Sequence, residues 1–326
     1  MTALPSRSDI YAPRILAVPA SVSGMRLDRF LARWFPKRSR AALNQHCKNG
    51  DITDAQGTAL RPAYRLKGTE VLRILVPGIA PTKPPPPLPE ILFENDHLAV
   101  LNKPAGLICH PAGGDHQYAV IGLARERWPN VDLAHRIDKE TSGVLVVSKD
   151  AETNIAIKAA FKAGSVSKKY LAISRGPVSW DEQVVDAPIG ADGGDIRIKM
   201  AVRTDGLPAK STFQVIKRAN DRALIAAKIS TGRTHQIRVH LDHLGASLLG
   251  DKLYGVPSSV FLEAWEQGLT ESVVHAAGAP RHALHAAEIS FSFKGETITT
   301  TAPLPDDMQR WWTSPTCLPL DGWPSV

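Results

Sequence analysis

The chain has 326 residues, an ordinary apolar content of 43% and a formal net charge of +7. This length predicts two domains, or one large domain with an appendage. The chain has no window of about 18 uninterrupted apolar residues, and residues 1–14 lack the basic-then-apolar order of a secretory signal. We therefore expect no membrane association and no export.

Three cysteines are present, and they are far apart and odd in number: Cys47, Cys109 and Cys317. No pair has the close spacing of a zinc site, and no disulfide framework is indicated. We expect reduced thiols that behave as small buried residues, and a cytoplasmic protein.

The positive charge is concentrated near the N-terminus. Residues 1–78 contain 13 Lys+Arg and 5 Asp+Glu, whereas the remainder of the chain is nearly neutral. A small basic unit beside a larger neutral one favours a polyanion-binding module that serves a second domain. The alternative, a solvated basic surface without a partner, fits the charge equally well.

A compact α+β unit is predicted over residues 15–77, after a flexible N-terminus at 1–14. Apolar residues at helical spacing predict a first helix, which Pro36 ends; they are Leu27, Phe30, Leu31 and Trp34. Ser39 is placed to cap a second helix that runs to about Cys47. Short strands follow at about 51–53 and 70–76.

The stretch 78–90 contains consecutive prolines, which lack amide donors and favour extended geometry. It predicts a semi-rigid linker on which the basic unit swings. Strands and helices alternate beyond it. Strands are predicted at 99–102, 143–148, 169–174 and 224–229, and helices at 151–162 and 259–267. Residues 306–326, rich in tryptophan and proline, predict an irregular tail whose tryptophans cover the domain's own surface.

The densest group of ionisable residues is the segment HRIDKETSG at 135–143, directly before an apolar strand. Catalytic groups are commonly carried on loops anchored by a buried strand. Arg136 and Lys139 flank Asp138, and neighbouring cations favour the charged form of a carboxylate, which can then act as a nucleophile or base. The alternative is a salt-bridged turn.

A second polar segment, STGRTHQIRVHL at 230–241, fits either a helix capped by Thr234 or a strand. Arg233 would lie at the turn, free to pair with a carboxylate from elsewhere. His235, His240 and His243 lack the spacing and the glutamate of a zincin helix, so we expect no metal. Tyr170 begins a strand, where it packs in the core or stacks on a base.

Taken together, residues 91–305 resemble the RluA-type RNA pseudouridine synthases. Six segments carry the resemblance in the family's order: LNKPAGLICHP (101–111), HRIDKETSGVLVVSKD (135–150), SVSKKYLAI (165–173), TGRTHQIRVHL (231–241), LGDKLYG (249–255) and RHALHA (281–286). Residues 25–50 resemble the small alpha-L RNA-binding module that often precedes this domain. The sequence departs from the family pattern at Ile137, usually a leucine, and at 51–57, where the module's usual hairpin sequence differs.

The resemblance implies an α+β catalytic domain with a mixed, mostly antiparallel central sheet, plus the small N-terminal α+β module. It implies that Asp138 is the essential carboxylate, that Tyr170 stacks on the base and that Arg233 is the ion-pair partner of Asp138. Arg136 would fill the gap left by a flipped base, and Leu284 would form an apolar floor. Basic residues of the module would contact RNA; the candidates are Arg26, Arg29, Lys37, Arg38 and Arg40.

The implied activity is isomerisation of uridine to pseudouridine without a metal or other cofactor, and neither a dinucleotide-binding loop nor a Walker loop occurs in the sequence. Ribosomal RNA of the large subunit is the expected substrate and transfer RNA the alternative. A monomer is the simplest expectation. Two hypotheses from other classes are a non-catalytic RNA-binding assembly factor and a metal-dependent hydrolase built on the histidines.

Overall fold

A computed structural model describes residues 14–35, 38–76, 85–111 and 118–313. Pro36 and most of the predicted linker therefore lie outside the described residues, as do residues 1–13 and 314–326. None of the described helices is both long and apolar enough to cross a bilayer.

The N-terminal module is a three-stranded sheet packed against two helices. Its elements are β1 (Arg14–Ala17), a 3₁₀ turn (Ala20–Val22), α1 (Leu27–Trp34), α2 (Arg40–Lys48), β2 (Ile52–Thr53) and β3 (Val71–Ile74). The strands are antiparallel in the order β1-β3-β2. Both predicted helices are confirmed, and the Ser39 side chain caps α2 by accepting from the amide of Ala42 at 3.2 Å.

Between residues 90 and 301, the described part of the larger domain has ten strands in one sheet and five helices around it, and a sixth helix follows. In chain order they are β4 (Glu90–Glu94), β5 (Leu98–Lys103), α3 (Val120–Arg127), β6 (Asp132–Leu133), β7 (Ser142–Ser148), α4 (Ala151–Lys162), β8 (Ser167–Ile173), β9 (Glu182–Asp186), the hairpin β10 (Ile189–Ala191) and β11 (Met200–Val202), β12 (Lys210–Ala219), β13 (Arg222–Ile229), α5 (Gln236–His243), α6 (Ser258–Gln267), α7 (Glu271–Ala277), β14 (Leu284–Phe293) and β15 (Glu296–Thr301). The hairpin β10–β11 is separate from the ten.

The main path of the sheet is β4-β5-β7-β14-β8-β13-β12-β9, with β6 paired to β7 and β15 to β14. All of these pairings are antiparallel except β7 with β14. The mixed, mostly antiparallel sheet expected from the resemblance is confirmed. The four predicted strands and both predicted helices are present, each within two residues of its predicted ends.

The parallel contact between β7 and β14 requires a glycine. Gly143 has a φ of 109°, and a Cβ added there would lie 2.1 Å from the carbonyl oxygen of Ala286. This close approach brings the start of β7, and the loop before it, against the start of β14. The polar segments at 135–143 and 281–286 therefore meet at one place.

The prediction of an irregular tail from residue 306 is wrong for its first part. Asp306–Thr313 form a helix, α8. Met308 and Trp311 are buried against Ile173 and Ala283, so the helix belongs to the domain's apolar packing. The spacing of Met308 and Trp311 matches one helix face, but the prolines and tryptophans around them favoured the prediction of an irregular segment. Burial of Trp311 agrees with the expectation that the tail's tryptophans cover the domain's own surface.

The module is docked on α3, although the sequence predicted that it swings. Arg125 is buried and donates from Nη1 to the carbonyl of Val18 at 2.9 Å. A Cβ added at Gly122 would lie 3.1 Å from Cγ2 of Ile15. At the edge, Arg73 pairs with Glu126 at 3.1 Å. These contacts fix the module beside the larger domain.

Candidate active site

Asp138 lies in the loop between β6 and β7, on the wall of an open cleft. The cleft has a volume of about 660 Å³. The Asp138 side chain is 33% exposed, so it is accessible from the cleft without being fully solvated. The loop leads into a strand whose residues are all buried, which gives the carboxylate a rigid support.

Tyr170 lies beside Asp138 on the central strand β8. Its cross-strand neighbours are Ala227 on β13 and Ala286 on β14. Because both neighbours are small, the phenol ring has open space above the sheet, and it lines the cleft. Burial, followed by the charge of Asp138, raises the pKa of Tyr170 above its ordinary value. The side chain is therefore a neutral phenol at physiological pH.

The predicted ion pair between Arg233 and Asp138 is wrong in the structure, where Arg238 takes that position. Arg238 Nη1 donates to Oδ2 of Asp138 at 3.1 Å. Arg233 lies in the turn before α5, and its Nε donates to the carbonyl of Pro208 at 2.9 Å. Arg233 does line the cleft, so it is at the site in a different position.

Arg238 rather than Arg233 faces Asp138 because of the way in which α5 begins. The segment 236–243 is a helix, which decides between the two predicted alternatives. Thr234 does not cap it. His235 occupies the cap position with a φ of 57°, and the Gln236 side chain accepts from the amide of Arg233 at 3.0 Å. Residues three apart share a helix face, so His235 and Arg238 both point towards Asp138.

Arg238 is itself held from behind by a buried carboxylate. Asp251 is 1% exposed and accepts from Nε and Nη2 of Arg238 at 2.7 and 2.9 Å. It also accepts from the amides of Leu253 and Tyr254. Burial raises the pKa of Asp251, but the charge and hydrogen bonds of Arg238 outweigh that effect and lower it. Two-point binding of the planar guanidinium leaves Nη1 aimed at Asp138.

His235 is the second neighbour of Asp138 on this face. Its Nε2 lies 4.0 Å from Oδ2 of Asp138, and its Nδ1 is hydrogen-bonded to the Tyr254 hydroxyl at 2.9 Å. Burial and the charge of Arg238 lower the pKa of His235 to about 4. The imidazole is therefore neutral at physiological pH, and Arg238 supplies the positive charge beside Asp138.

Four groups fix the loop that carries Asp138 from its buried side. Lys103 Nζ donates to the carbonyl of Lys139 at 3.0 Å, and Arg281 Nη1 donates to the carbonyl of Glu140 at 3.1 Å. Two histidine hydrogen bonds join the following residues to β14 and the segment before it, Thr141–His282 at 2.8 Å and Ser142–His285 at 2.9 Å. The segment RHALHA thus supports the site structurally.

The cleft is strongly basic. Its cationic lining residues are Arg136, Lys139, Lys158, Lys162, Lys168 and Arg233. Asp138 is the one carboxylate among its described lining residues. Arg136 is exposed at the rim. Leu284 is buried and lines the inner part of the site beside Asp138 and Tyr170. The structure therefore brings together all five residues predicted for the larger domain.

The residues predicted to bind RNA in the module are separate from this cleft. Arg26 and Arg40 both bind the buried carboxylate of Asp28, at 2.9 and 2.7 Å. Arg29 and Arg38 are exposed, and Lys37 lies outside the described residues.

The sequence patterns did not indicate Arg238 and Asp251, nor the position of His235 beside Asp138, nor Tyr254. One feature of the sequence could have indicated Arg238 and Asp251. Asp251 lies in the segment LGDKLYG, where it and Lys252 are the only charged residues, and a carboxylate buried there requires a cation. The helical alternative for α5 would then have placed Arg238, rather than Arg233, on the inward face.

Comparison with known proteins shows the family of this chain. A family profile described as RNA pseudouridylate synthase matches residues 97–243. The chain is 36% identical over 309 residues to a "Ribosomal large subunit pseudouridine synthase D" of Xanthomonas campestris pv. campestris, with 91% of each chain covered. It is 35% identical over 308 residues to the protein of the same name from Pseudomonas aeruginosa, covering 90% of this chain and 93% of that one.

Solved structures show the same fold. Human RNA Pseudouridylate Synthase Domain Containing 4 superposes with a TM-score of 0.53 at 28% identity, covering 67% of this chain and 90% of that one. Human RNA Pseudouridylate Synthase Domain Containing 1 superposes with a TM-score of 0.54 at 23% identity, covering 68% and 86%. Both matches span about the length of the larger domain.

Proposed function

Because the chain belongs to the RNA pseudouridine synthases, we propose that it converts uridine to pseudouridine in large-subunit ribosomal RNA, with Asp138 as the essential carboxylate. One observation carries the proposal. A partly exposed carboxylate is held by a buried arginine in a basic cleft, beside a buried tyrosine and an apolar floor. This arrangement suits a reaction on the sugar and base of one nucleotide in a polyanion.

The target nucleotide must leave its helix before Asp138 can reach the sugar. Flipping costs a few kcal/mol of lost stacking, which protein contacts offset. Arg136 is exposed at the rim of the cleft and is suited to fill the gap in the helix. The lysines of the cleft wall would bind the flanking phosphates.

Asp138 then acts at the ribose. It either attacks C1′, so that uracil leaves, or removes the proton at C2′ to give a glycal. The Arg238 guanidinium orients the carboxylate for either step. The freed uracil turns in the pocket and C5 bonds to C1′. In the first route this breaks the ester bond between C1′ and Asp138, and in the second the proton returns to C2′. The proton on C5 is then lost. The neutral Tyr170 phenol supports the base by stacking, with Leu284 below it.

The substrate class follows from the relatives. The matched proteins from Xanthomonas campestris and Pseudomonas aeruginosa are named for the large ribosomal subunit, and the similarity extends over the basic module as well as the larger domain. We propose that the protein is located in the cytoplasm, because ribosomal RNA is found there and the described cysteines, Cys47 and Cys109, are unpaired. We also propose a monomer, because Arg238, Asp251 and Tyr170 complete the surroundings of Asp138 without a partner subunit.

The experiment is tritium release from large-subunit ribosomal RNA labelled at uridine C5, since the label is lost only when C5 forms its new bond. We expect release by the wild-type protein and none by Asp138→Asn, which preserves the shape of the side chain. Asp181→Asn is the control, because that carboxylate is 91% exposed on a surface ion pair. Release from transfer RNA alone would change the substrate, and RNA binding without release from either RNA would indicate a non-catalytic binding protein.

A further inference from the structure

A second groove opens where the docked module meets the larger domain. It has a volume of about 410 Å³, and the 3₁₀ turn of the module forms one wall with Pro19, Ala20 and Ser21. The opposite wall includes His110, Arg136 and Lys158, which also line the active-site cleft. Because the two cavities share these residues, the groove lies directly beside the active-site cleft.

The position of the turn is fixed by buried contacts. Arg125 lines the groove, and it donates to the carbonyl of Val18, two residues before the turn begins at Ala20, and to the carbonyl of Val131 at 3.3 Å. Ala17 belongs to the same apolar cluster as Val120 and Ile121 of α3. The wall formed by Ser21 is therefore held in place by the larger domain.

The charge of this path suits a phosphate backbone. Arg136 and Lys158 stand where the two cavities join. Asp132 pairs with Lys158 at 3.3 Å, but both side chains are about half exposed, at 42% and 51%. An exposed pair of this kind contributes little, so Lys158 can exchange its carboxylate for a phosphate. Positively charged grooves that follow the backbone are typical of single-strand binding.

We infer that the strand flanking the target uridine runs from the active-site cleft through this groove and along the 3₁₀ turn of the module, past Ser21. This inference rests on the proposed function, because it takes RNA as the substrate. The module then has a fixed role, because the module and the larger domain together form one continuous path for RNA. This path starts at the flipped nucleotide. The module's arginines then bind RNA that has already left this groove.

Ser21 and Ser23 provide a matched pair for the test. Both are exposed on the same turn, but among the two only Ser21 lines the groove. A charge placed at either position changes the net charge of the module equally. Only a charge at position 21 faces the proposed strand, and neither position contributes to the apolar core.

The experiment measures binding of in vitro transcribed large-subunit ribosomal RNA by Ser21→Glu, Ser21→Lys, Ser23→Glu and Ser23→Lys over a range of salt concentrations. We expect Ser21→Glu to weaken binding roughly tenfold at low salt and Ser21→Lys to tighten it, with the log–log salt slope changing by about one in opposite directions. The two Ser23 variants should stay within about twofold of the wild type.

Equal shifts at positions 21 and 23 would mean that only bulk charge matters, and no shift at either position would mean that RNA does not pass the turn. Either result overturns the inference. Tritium release at saturating RNA should be unchanged in the two Ser23 variants, because Ser23 lies outside the groove. If the wild-type protein released no tritium, the proposed function would fail, while the contrast in binding could still be measured.

Discussion

Two regions of this protein use a buried carboxylate to hold arginines, but the arginine is buried in one region and the arginines are exposed to solvent in the other. In the larger domain, Asp251 is fully buried and its partner Arg238 is only 9% exposed. In the module, Asp28 is also buried, but Arg26 and Arg40 are 40% and 48% exposed. Hydrogen bonds from Arg26 hold the pKa of Asp28 well below its usual range. The carboxylates are alike, whereas the arginines they present differ in exposure.

The difference shows what each arginine is suited to do. Arg238 directs Nη1 at Asp138 from a buried position, where electrostatic interactions are stronger than in water. Arg26 and Arg40 present their charge to solvent, where interactions with phosphates are weaker and depend on salt. Removing the carboxylate should therefore affect catalysis in the first region and affinity in the second.

The largest effect is expected for Asp251→Asn. Loss of this charge leaves Arg238 buried with one fewer ionic partner, which should cost about 3 kcal/mol of unfolding free energy. Misdirection of Arg238 should lower kcat by roughly 100-fold with little change in KM. Urea unfolding and single-turnover tritium release measure the two effects. A variant with reduced stability but normal kcat would show that Asp251 acts only on folding.

A smaller effect is expected for Asp28→Asn. Freed from the carboxylate, Arg26 and Arg40 must be ordered again when RNA binds, which should weaken binding by about fivefold and leave kcat unchanged. Filter binding to large-subunit ribosomal RNA measures this change in affinity. Asp54→Asn is the control, since it adds the same charge to the module at a turn where asparagine still accepts from the amides of Gln56 and Thr58. If the arginines contribute charge alone, both variants should bind RNA more tightly.

The sequence predicted those features of the two regions that depend on residues close together in the chain. The helical stripe of α1, the cap at Ser39 and the helix over 151–162 depend on neighbouring residues, and all three are present. The partner of Asp138 could not be predicted in the same way. Arg233 and Arg238 lie five residues apart in one motif, and only the helix start at His235 and the distant Asp251 determine which one faces Asp138.

The helix α8 illustrates the same limit. Asp307 receives two hydrogen bonds from Arg281, a contact between residues 26 positions apart that fixes the helix on the domain. The local sequence, rich in proline and tryptophan, gave no indication of that partner. The docking of the module through Arg125 was missed for a similar reason, because its acceptor, the carbonyl of Val18, is 107 positions away.

Arg238, and not Arg233, holds Asp138, the carboxylate that we propose as essential. The most direct test compares Arg238→Lys with Arg233→Lys in single-turnover tritium release at saturating RNA, with thermal unfolding as a check on the fold. Lysine cannot bind Asp251 at two points and also reach Asp138, so Arg238→Lys should lower the rate by roughly 100-fold. Arg233→Lys loses one hydrogen bond to Pro208 and should lower the rate less than about tenfold. A folded Arg238→Lys protein with nearly normal rate, beside an Arg233→Lys protein that is inactive, would contradict the assignment.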